Sequence, residues 1–206
     1  MLKCYITDRL TLPPGASLMD VIEKASYSEE PRSSGSGREE PDWIQIREKD
    51  LSARQLLTLV TAAIELRGPK ILVNTRMDVA LAAGAAGCHL PANSPPPSLW
   101  RKITPVAFLI GMSCHTVEEV RTAESEGADY VFFGPVFPPR SKASPLPARG
   151  LELLARAAGS VRIPVLALGG ITETNMDDCV KAGAAGIAAI SLFQSPPVLD
   201  RGARDT

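Results

Sequence analysis

Polar side chains suited to binding anions follow two of the short apolar runs in this sequence. Gln45, Arg47 and Lys49 alternate along the segment that begins WIQIR, and Asn74 ends the run KILVN. Alternate residues of an extended segment point to the same face, so the first three side chains are expected to lie together. Cations beside an amide are suited to binding a phosphate or a carboxylate. The alternative interpretation is that Arg47 and Lys49 form a solvated surface pair.

The two histidines of the chain both lie near the ends of apolar runs. His115 comes two residues after Ser113, where a run gives way to a helical segment, and a neutral imidazole there suits proton transfer near pH 7. His89 lies within GCHL, where a hydrogen-bonded near-core histidine is the competing interpretation. We therefore predict His115 as the catalytic residue, Ser113 as a substrate-binding neighbour and His89 as the next candidate proton carrier.

Eight short apolar runs alternate with segments of helical periodicity, and they occupy residues 2–7, 43–47, 70–74, 87–90, 108–113, 130–134, 163–168 and 186–190. An apolar stripe over residues 51–66 predicts one helix. Thr116 with Glu119 predicts a capping box at the start of another helix, and Thr172 with Asn175 predicts a weaker start of the same kind. Eight β-then-α units predict an α/β fold, a single-domain (β/α)8 TIM barrel. A doubly wound open sheet is the alternative.

The strand ends of such a barrel include a predicted phosphate site. Gly169–Gly170 follow the seventh run and Ile190–Ser191 follow the eighth. Backbone N–H groups at these two positions bind phosphate in many barrels. The long proline-rich loop after the sixth run contains Ser141 and Lys142, which are expected to help hold the phosphate.

Composition limits the remaining possibilities. The chain has 206 residues, a net charge of −1 and 45% apolar residues, which gives no electrostatic case for nucleic acid or membrane as a partner. The four cysteines show no metal-binding spacing and are expected to be reduced, buried thiols in a cytoplasmic protein. Neither a signal peptide nor a transmembrane run is expected. Residues 1–206 are interpreted as one domain, with a flexible insert at 26–41 and a frayed tail at 196–206.

In order, the segments QIREKDL, VNTRMDVAL, GAAGCHLP, IGMSCHTVEE, GADYVFFGPVFPPRSK, PVLALGGIT and AGAAGIAAI resemble the thiamine phosphate synthases and the related thiazole tautomerases. The resemblance spans about residues 2 to 193 and implies a barrel that binds a thiazole phosphate. The synthase joins that phosphate to a pyrimidine diphosphate, using Mg²⁺, and releases pyrophosphate. The tautomerase aromatises a thiazole carboxylate phosphate by moving a proton, without a metal, and uses a histidine that matches His115.

Three positions depart from the synthase pattern. Thr75 and Ser94 stand where the resemblance implies the two carboxylates that bind magnesium, and Pro139 stands where it implies a threonine. Because Mg²⁺ prefers anionic oxygen ligands, losing both carboxylates removes most of its binding energy. Of the two activities in this family, the sequence therefore favours a metal-independent thiazole tautomerase with no cofactor. The metal site is predicted to be absent.

The favoured mechanism has His115 moving the ring proton while Arg47 pairs with the substrate carboxylate. Two alternatives stay open: a working thiamine phosphate synthase, supported by Arg47, Lys49 and Asn74 as diphosphate ligands, and a regulator that binds the phosphate without turnover. The expected partner is a small-molecule thiazole phosphate, and a homodimer is possible for a barrel of this size.

Overall fold

The computed structural model describes residues 1–26, 40–138 and 147–194. Within them, eight strands alternate with helices along the chain. The strands are β1 (Leu2–Ile6), β2 (Trp43–Ile46), β3 (Lys70–Asn74), β4 (Gly87–Leu90), β5 (Leu109–Cys114), β6 (Tyr130–Phe133), β7 (Val165–Leu168) and β8 (Gly186–Ala189). The helices are α1 (Leu18–Ser26), α2 (Ala53–Glu65), α3 (Met77–Ala83), α4 (Pro97–Trp100), α5 (Val117–Ser125), α6 (Gly150–Ala158), α7 (Met176–Lys181) and α8 (Ser191–Gln194), with a 3₁₀ turn at Arg9–Thr11.

The strands form a closed barrel in which each strand pairs in parallel with the next and β8 pairs with β1. This confirms the predicted (β/α)8 barrel and excludes the open sheet. All eight strands lie within two residues of the predicted runs; β7, for example, begins at Val165 rather than at residue 163. The register places Asn74 opposite His89 and His89 opposite Gly111, so Ser113 lies two residues further toward the carboxyl end of β5.

Two apolar layers form because side chains alternate along each strand. The inward layer fills the barrel with Cys4, Ile6, Trp43, Leu72, Tyr130, Phe132, Leu166 and Ala188. Gly111 leaves the space that Tyr130 occupies, since a Cβ at residue 111 would lie 2.0 Å from Cζ of that ring. The outward side chains pack under the helices as a second, larger cluster. The barrel is therefore filled with side chains and is not a channel.

Of the two helix starts predicted from capping patterns, the structure contains one. Thr116 and Glu119 form the predicted capping box at the start of α5. The helix start predicted at Thr172 and Asn175 is wrong, because α7 begins at Met176. Half of the predicted pattern does form, since Asn175 Oδ1 accepts from the N–H of Thr172 while its Nδ2 donates to the carbonyl of Gly170. The other half does not, because the Thr172 hydroxyl bonds the Thr174 hydroxyl.

Most of the predicted insert and the whole predicted tail lie outside the described residues. At the start of the 26–41 segment, Ser26 is instead the buried last residue of α1, where its hydroxyl bonds the carbonyl of Ile22. Among the helices of residues 1–26, 40–138 and 147–194, none is long and apolar enough to cross a membrane.

Candidate functional site

The ends of β2 and β3 hold a short chain of hydrogen-bonded amides. The Gln45 Nε2 donates to Asn74 Oδ1 over 2.9 Å, and Asn74 Nδ2 donates to Thr75 Oγ1 over 2.8 Å. These two bonds set the orientation of the Asn74 amide. Gln45 is buried, and its Oε1 has no hydrogen-bond partner within the described part of the chain. One buried acceptor therefore faces this end of the barrel without a protein donor.

The segment after β2 places its charges on opposite faces. Glu48 is buried, and its carboxylate accepts from the Thr7 hydroxyl over 2.6 Å and from the Arg9 N–H over 3.2 Å. Burial raises the pKa of Glu48, while the Thr7 and Arg9 hydrogen bonds oppose that rise. Arg47 is half-buried and Lys49 is exposed, and neither side chain bonds or pairs with any residue of the described ranges. Glu48 therefore anchors the segment and leaves two unpaired cations beside it.

His115 lies between the end of β5 and the start of α5, with its ring oriented by a backbone carbonyl. Its Nδ1 is 2.6 Å from the carbonyl oxygen of Gly134. Because a carbonyl oxygen only accepts hydrogen bonds, Nδ1 carries the proton of the neutral ring and Nε2 keeps its lone pair. The backbone N–H of His115 donates to the Glu119 carboxylate. The half-buried ring therefore presents an unprotonated nitrogen that could accept a proton.

His89 has a different environment. It is 2% exposed and stacks on Phe132 with ring centroids 4.1 Å apart. Its Nε2 lies 2.9 Å from the Ser113 Oγ and its Nδ1 lies 3.3 Å from the Tyr130 hydroxyl. Burial lowers the pKa of His89 to about 3, so the ring is neutral at physiological pH. This environment agrees with the near-core interpretation of His89.

The ends of β7 and β8 present backbone rather than side chains. Gly169 and Gly170 have φ values of +95° and +64°, which glycine adopts without strain. A Cβ at Gly170 would lie 2.6 Å from the carbonyl oxygen of Pro138, so the turn packs closely on the segment after β6. The N–H groups of Gly170 and Ser191 donate to no acceptor among the described residues. Ile190 is half-buried beside them.

The structure brings most of the predicted site residues to the carboxyl ends of the strands. Those it places there are Gln45, Arg47, Lys49, Asn74, Ser113, His115, Gly169, Gly170, Ile190 and Ser191. Ser141, Lys142 and Pro139 lie outside the described residues. Whether the ten residues bind a substrate stays a prediction.

The donors at the positions implied for Mg²⁺ do not suit that ion. Thr75 offers a hydroxyl that already accepts from Asn74, and the Ser94 hydroxyl donates to the Pro95 carbonyl. Ser94 also lines a cavity of about 350 Å³ between the β4–α4 loop and α5. The described residues contain no group of three or more His, Cys, Asp or Glu able to hold a metal. Neutral hydroxyls are poor replacements for the carboxylates that magnesium prefers.

Two residues that organise this edge were not identified from the sequence. Neither Glu48 nor Tyr130 is among the site residues predicted from the sequence. The alternation that puts Arg47 and Lys49 on one face also puts Glu48 on the buried face, and a buried acid is rarely unpaired. That signal would have identified Glu48, whereas the contact of Tyr130 with His89 joins residues 41 positions apart.

The cysteines belong to the packing of the barrel. All four are free and buried, as expected from the sequence. Burial raises the pKa of Cys88 and of Cys114 to about 12, and that of Cys179 to about 11. These side chains are therefore neutral thiols near pH 7, including Cys114 beside His115.

Comparisons with known proteins agree on one family. The family model described as thiamine monophosphate synthase matches residues 7–193. A putative thiamine-phosphate synthase of Geobacter sulfurreducens is 44% identical over 75% of this chain and 74% of its own length. The thiamine-phosphate synthase of Chlorobium luteolum is 36% identical over 98% of this chain and 89% of its own.

A solved structure agrees with these sequence matches. The thiamine phosphate pyrophosphorylase of Pyrococcus furiosus superposes with a TM-score of 0.75 at 32% identity, covering 92% of this chain and 85% of that protein. The family model, over residues 7–193, includes every strand end described above. The chain belongs to the thiamine monophosphate synthase family.

Proposed function

We propose that this chain is an enzyme of thiamine biosynthesis that joins a thiazole phosphate to a pyrimidine diphosphate and releases pyrophosphate. The sequence departures favoured a tautomerase, but relatives that are 36% to 44% identical to this chain are named as thiamine-phosphate synthases, one of them as putative, which supports the transferase reaction instead. The structural observation that carries the proposal is that Arg47 and Lys49, at the strand end next to that of Asn74, have no side-chain partner in the described part of the chain.

A diphosphate requires more positive charge than a monophosphate or a single carboxylate. Arg47 and Lys49 supply two cations that no described residue neutralises, and the Asn74 amide lies on the neighbouring strand end. The guanidinium of Arg47 can contact two phosphate oxygens at once, while the ammonium of Lys49 acts as a point charge. These residues would hold the leaving pyrophosphate and stabilise its developing charge.

The thiazole phosphate would bind at the opposite side of the barrel mouth. The N–H groups of Gly170 and Ser191, which have no acceptor among the described residues, could donate to its oxygens, and the absence of a Cβ at Gly169 and Gly170 permits close approach. Binding at this remote group would orient the ring against the ends of β4 and β5, where Ser113 and His115 lie.

Pyrophosphate release tests the proposal directly. Purified protein would be mixed with both substrates, with and without Mg²⁺, while pyrophosphate and thiamine phosphate are measured together. We expect both products to appear in equal amounts. An Arg47→Ala, Lys49→Ala double variant provides the control for contaminating enzymes, and it should lose the activity. Equal activity in the double variant, or no product from the wild type, would reject the transferase assignment.

The tautomerase remains a second candidate because two specific observations favour it. Thr75 and Ser94 provide hydroxyls where the resemblance implies magnesium-binding carboxylates, and the His115 Nε2 is available as a base. In this reaction His115 would take a ring proton and return it elsewhere on the ring. Positioned acid–base catalysis of this kind contributes about 10²- to 10⁴-fold in rate.

The two candidates respond differently to one substitution. If the tautomerase reaction occurs, His115→Ala should reduce proton exchange on the thiazole carboxylate phosphate by about 10²- to 10⁴-fold while ligand binding persists. His115→Gln, which retains a polar side chain, serves as the matched variant. Wild-type exchange rates in both variants would exclude His115 as the base.

A further inference from the structure

Three side chains form a hydrogen-bonded chain from the barrel core to the end of β5. The Tyr130 hydroxyl lies 3.3 Å from His89 Nδ1, and His89 Nε2 lies 2.9 Å from Ser113 Oγ. Tyr130 is fully buried and His89 is 2% exposed, whereas Ser113 is half-buried near the mouth. The tilted contact between the His89 and Tyr130 rings, with centroids 5.6 Å apart, holds the two side chains together.

The direction of these hydrogen bonds follows from the proton of Tyr130. Its hydroxyl makes no other hydrogen bond within residues 1–26, 40–138 and 147–194. If His89 carried its proton on Nδ1, the tyrosine proton would be buried without an acceptor, which is unfavourable. Tyr130 therefore donates to Nδ1.

The direction of the second hydrogen bond, between His89 and Ser113, follows from the first. Burial raises the pKa of Tyr130 well above its usual value and lowers that of His89 to about 3, so the phenol is protonated and the imidazole is neutral. A neutral imidazole with an unprotonated Nδ1 carries its proton on Nε2. Nε2 then donates to Ser113 Oγ, and the Ser113 hydroxyl is left to donate its own proton.

We propose that Tyr130 and His89 are positioning residues that fix Ser113 as a hydrogen-bond donor toward the mouth of the barrel, so that the bound molecule must present an acceptor there. The acceptor would be an unprotonated ring nitrogen or an anionic oxygen. His89 donates its single ring proton to Ser113, so it does not share the role of His115 as a base. The proposal rests on the substrate binding at the strand ends, as in the proposed function, and holds for either candidate reaction.

Nitrogen NMR of the histidines tests the first step in the wild-type protein without turnover. Because the chain contains two histidines, an His115→Gln variant assigns both rings. We expect His89 to be the Nε2–H tautomer with signals that do not change between about pH 5 and 8, since its pKa is about 3. A Nδ1–H tautomer, or titration of His89 in that range, would overturn the proposal.

Ligand binding tests the second step. Calorimetry would measure the affinity of thiazole phosphate for the wild type, Ser113→Thr, Ser113→Ala and Tyr130→Phe. We expect Ser113→Thr to bind like the wild type, and Ser113→Ala and Tyr130→Phe to bind about 5- to 10-fold more weakly. Tyr5→Phe is the matched control, because Tyr5 is an equally buried tyrosine whose ring packs against Phe193 rather than His89.

The outcomes separate this proposal from the proposed function. Equal affinity of Ser113→Ala and the wild type would reject Ser113 as a donor to the ligand. An Nε2–H tautomer in the wild type that is lost in Tyr130→Phe but retained in Tyr5→Phe would support the proposal even if no pyrophosphate is released. If Tyr130→Phe does not fold, the wild-type tautomer and the Ser113 variants still decide it.

Discussion

Two sides of the barrel mouth present polar groups in different ways. At the ends of β2 and β3, side chains provide these groups: Asn74 is oriented by its neighbours, and Arg47 and Lys49 pair with no residue of the described ranges. At the ends of β7 and β8, the backbone provides them through the N–H groups of Gly170 and Ser191. The first side depends on charge, and the second depends on the absence of side chains.

The difference determines how each side tolerates substitution. A side-chain site loses affinity when a charge is removed, but the fold is preserved because the charges are partly exposed. A backbone site made by glycines at positive φ loses stability when a Cβ is added, because both the conformation and the space are unavailable to other residues.

The largest effect of a substitution is expected at the ends of β7 and β8, where the backbone provides the polar groups. Gly170→Ala should lower the free energy of unfolding by about 2–4 kcal/mol, because a strained φ is combined with close contacts to Pro138 and Phe137. Gly84→Ala is the matched control, since Gly84 has φ +68° but no atom within 4 Å of its Cβ position. Urea unfolding of both variants measures the difference. Equal losses in the two variants would mean that close packing at Gly170 contributes nothing.

Removing a cation tests the ends of β2 and β3, where side chains provide the polar groups. Arg47→Ala should raise the KM for the pyrimidine diphosphate by about 10- to 100-fold, which corresponds to losing one charged hydrogen bond. The KM of Arg47→Lys should lie between those of the wild type and Arg47→Ala, because lysine keeps the charge but cannot contact two phosphate oxygens at once. Arg54→Ala, at an exposed position of α2, should match the wild type. Pyrophosphate-release kinetics provide the measurement, and an unchanged KM in Arg47→Ala would remove Arg47 from the site.

The anchor beneath the cations connects stability to binding on the same side. Glu48→Gln should destabilise the fold by about 1–2 kcal/mol. The Thr7 hydroxyl and the Arg9 N–H both donate to the carboxylate, and the glutamine NH₂ group, which is itself a donor, would replace one of the two acceptor oxygens. It should also raise KM more than it lowers kcat. Glu23→Gln, on the exposed face of α1, is the neutral control. A variant as stable as the wild type would show that Glu48 does not anchor this segment.

The smallest effect is expected at Thr75, which has φ +67° although it is β-branched. This conformation costs most residues about 1–2 kcal/mol, and asparagine tolerates it better. Thr75→Asn should therefore raise the free energy of unfolding by about 1 kcal/mol. Arg67→Asn is the control, because Arg67 also has positive φ, at +52°, but is unbranched and should gain less. Denaturant midpoints of the two variants would decide whether Thr75 stores strain.

The sequence predicted the architecture well because local patterns determine it. Apolar runs and helical periodicity located all eight strands, and Thr116 with Glu119 correctly predicted the start of α5. Residues at strand ends could also be assigned to one edge, since parallel strands in a barrel all point the same way. The error at Thr172 arose because its hydroxyl bonds the Thr174 hydroxyl rather than the N–H of Asn175, and α7 begins only at Met176.

By itself, the sequence determined the barrel, the strand-end location of the polar residues and the resemblance to one family. The tertiary structure decided which of these residues are paired and which are free. It left Arg47 without a partner among residues 1–26, 40–138 and 147–194, buried Glu48 against Thr7, and separated a neutral His89 in the core from His115 at the mouth. These outcomes depend on contacts between strands distant in sequence, which set burial and hydrogen bonding and which local patterns do not encode.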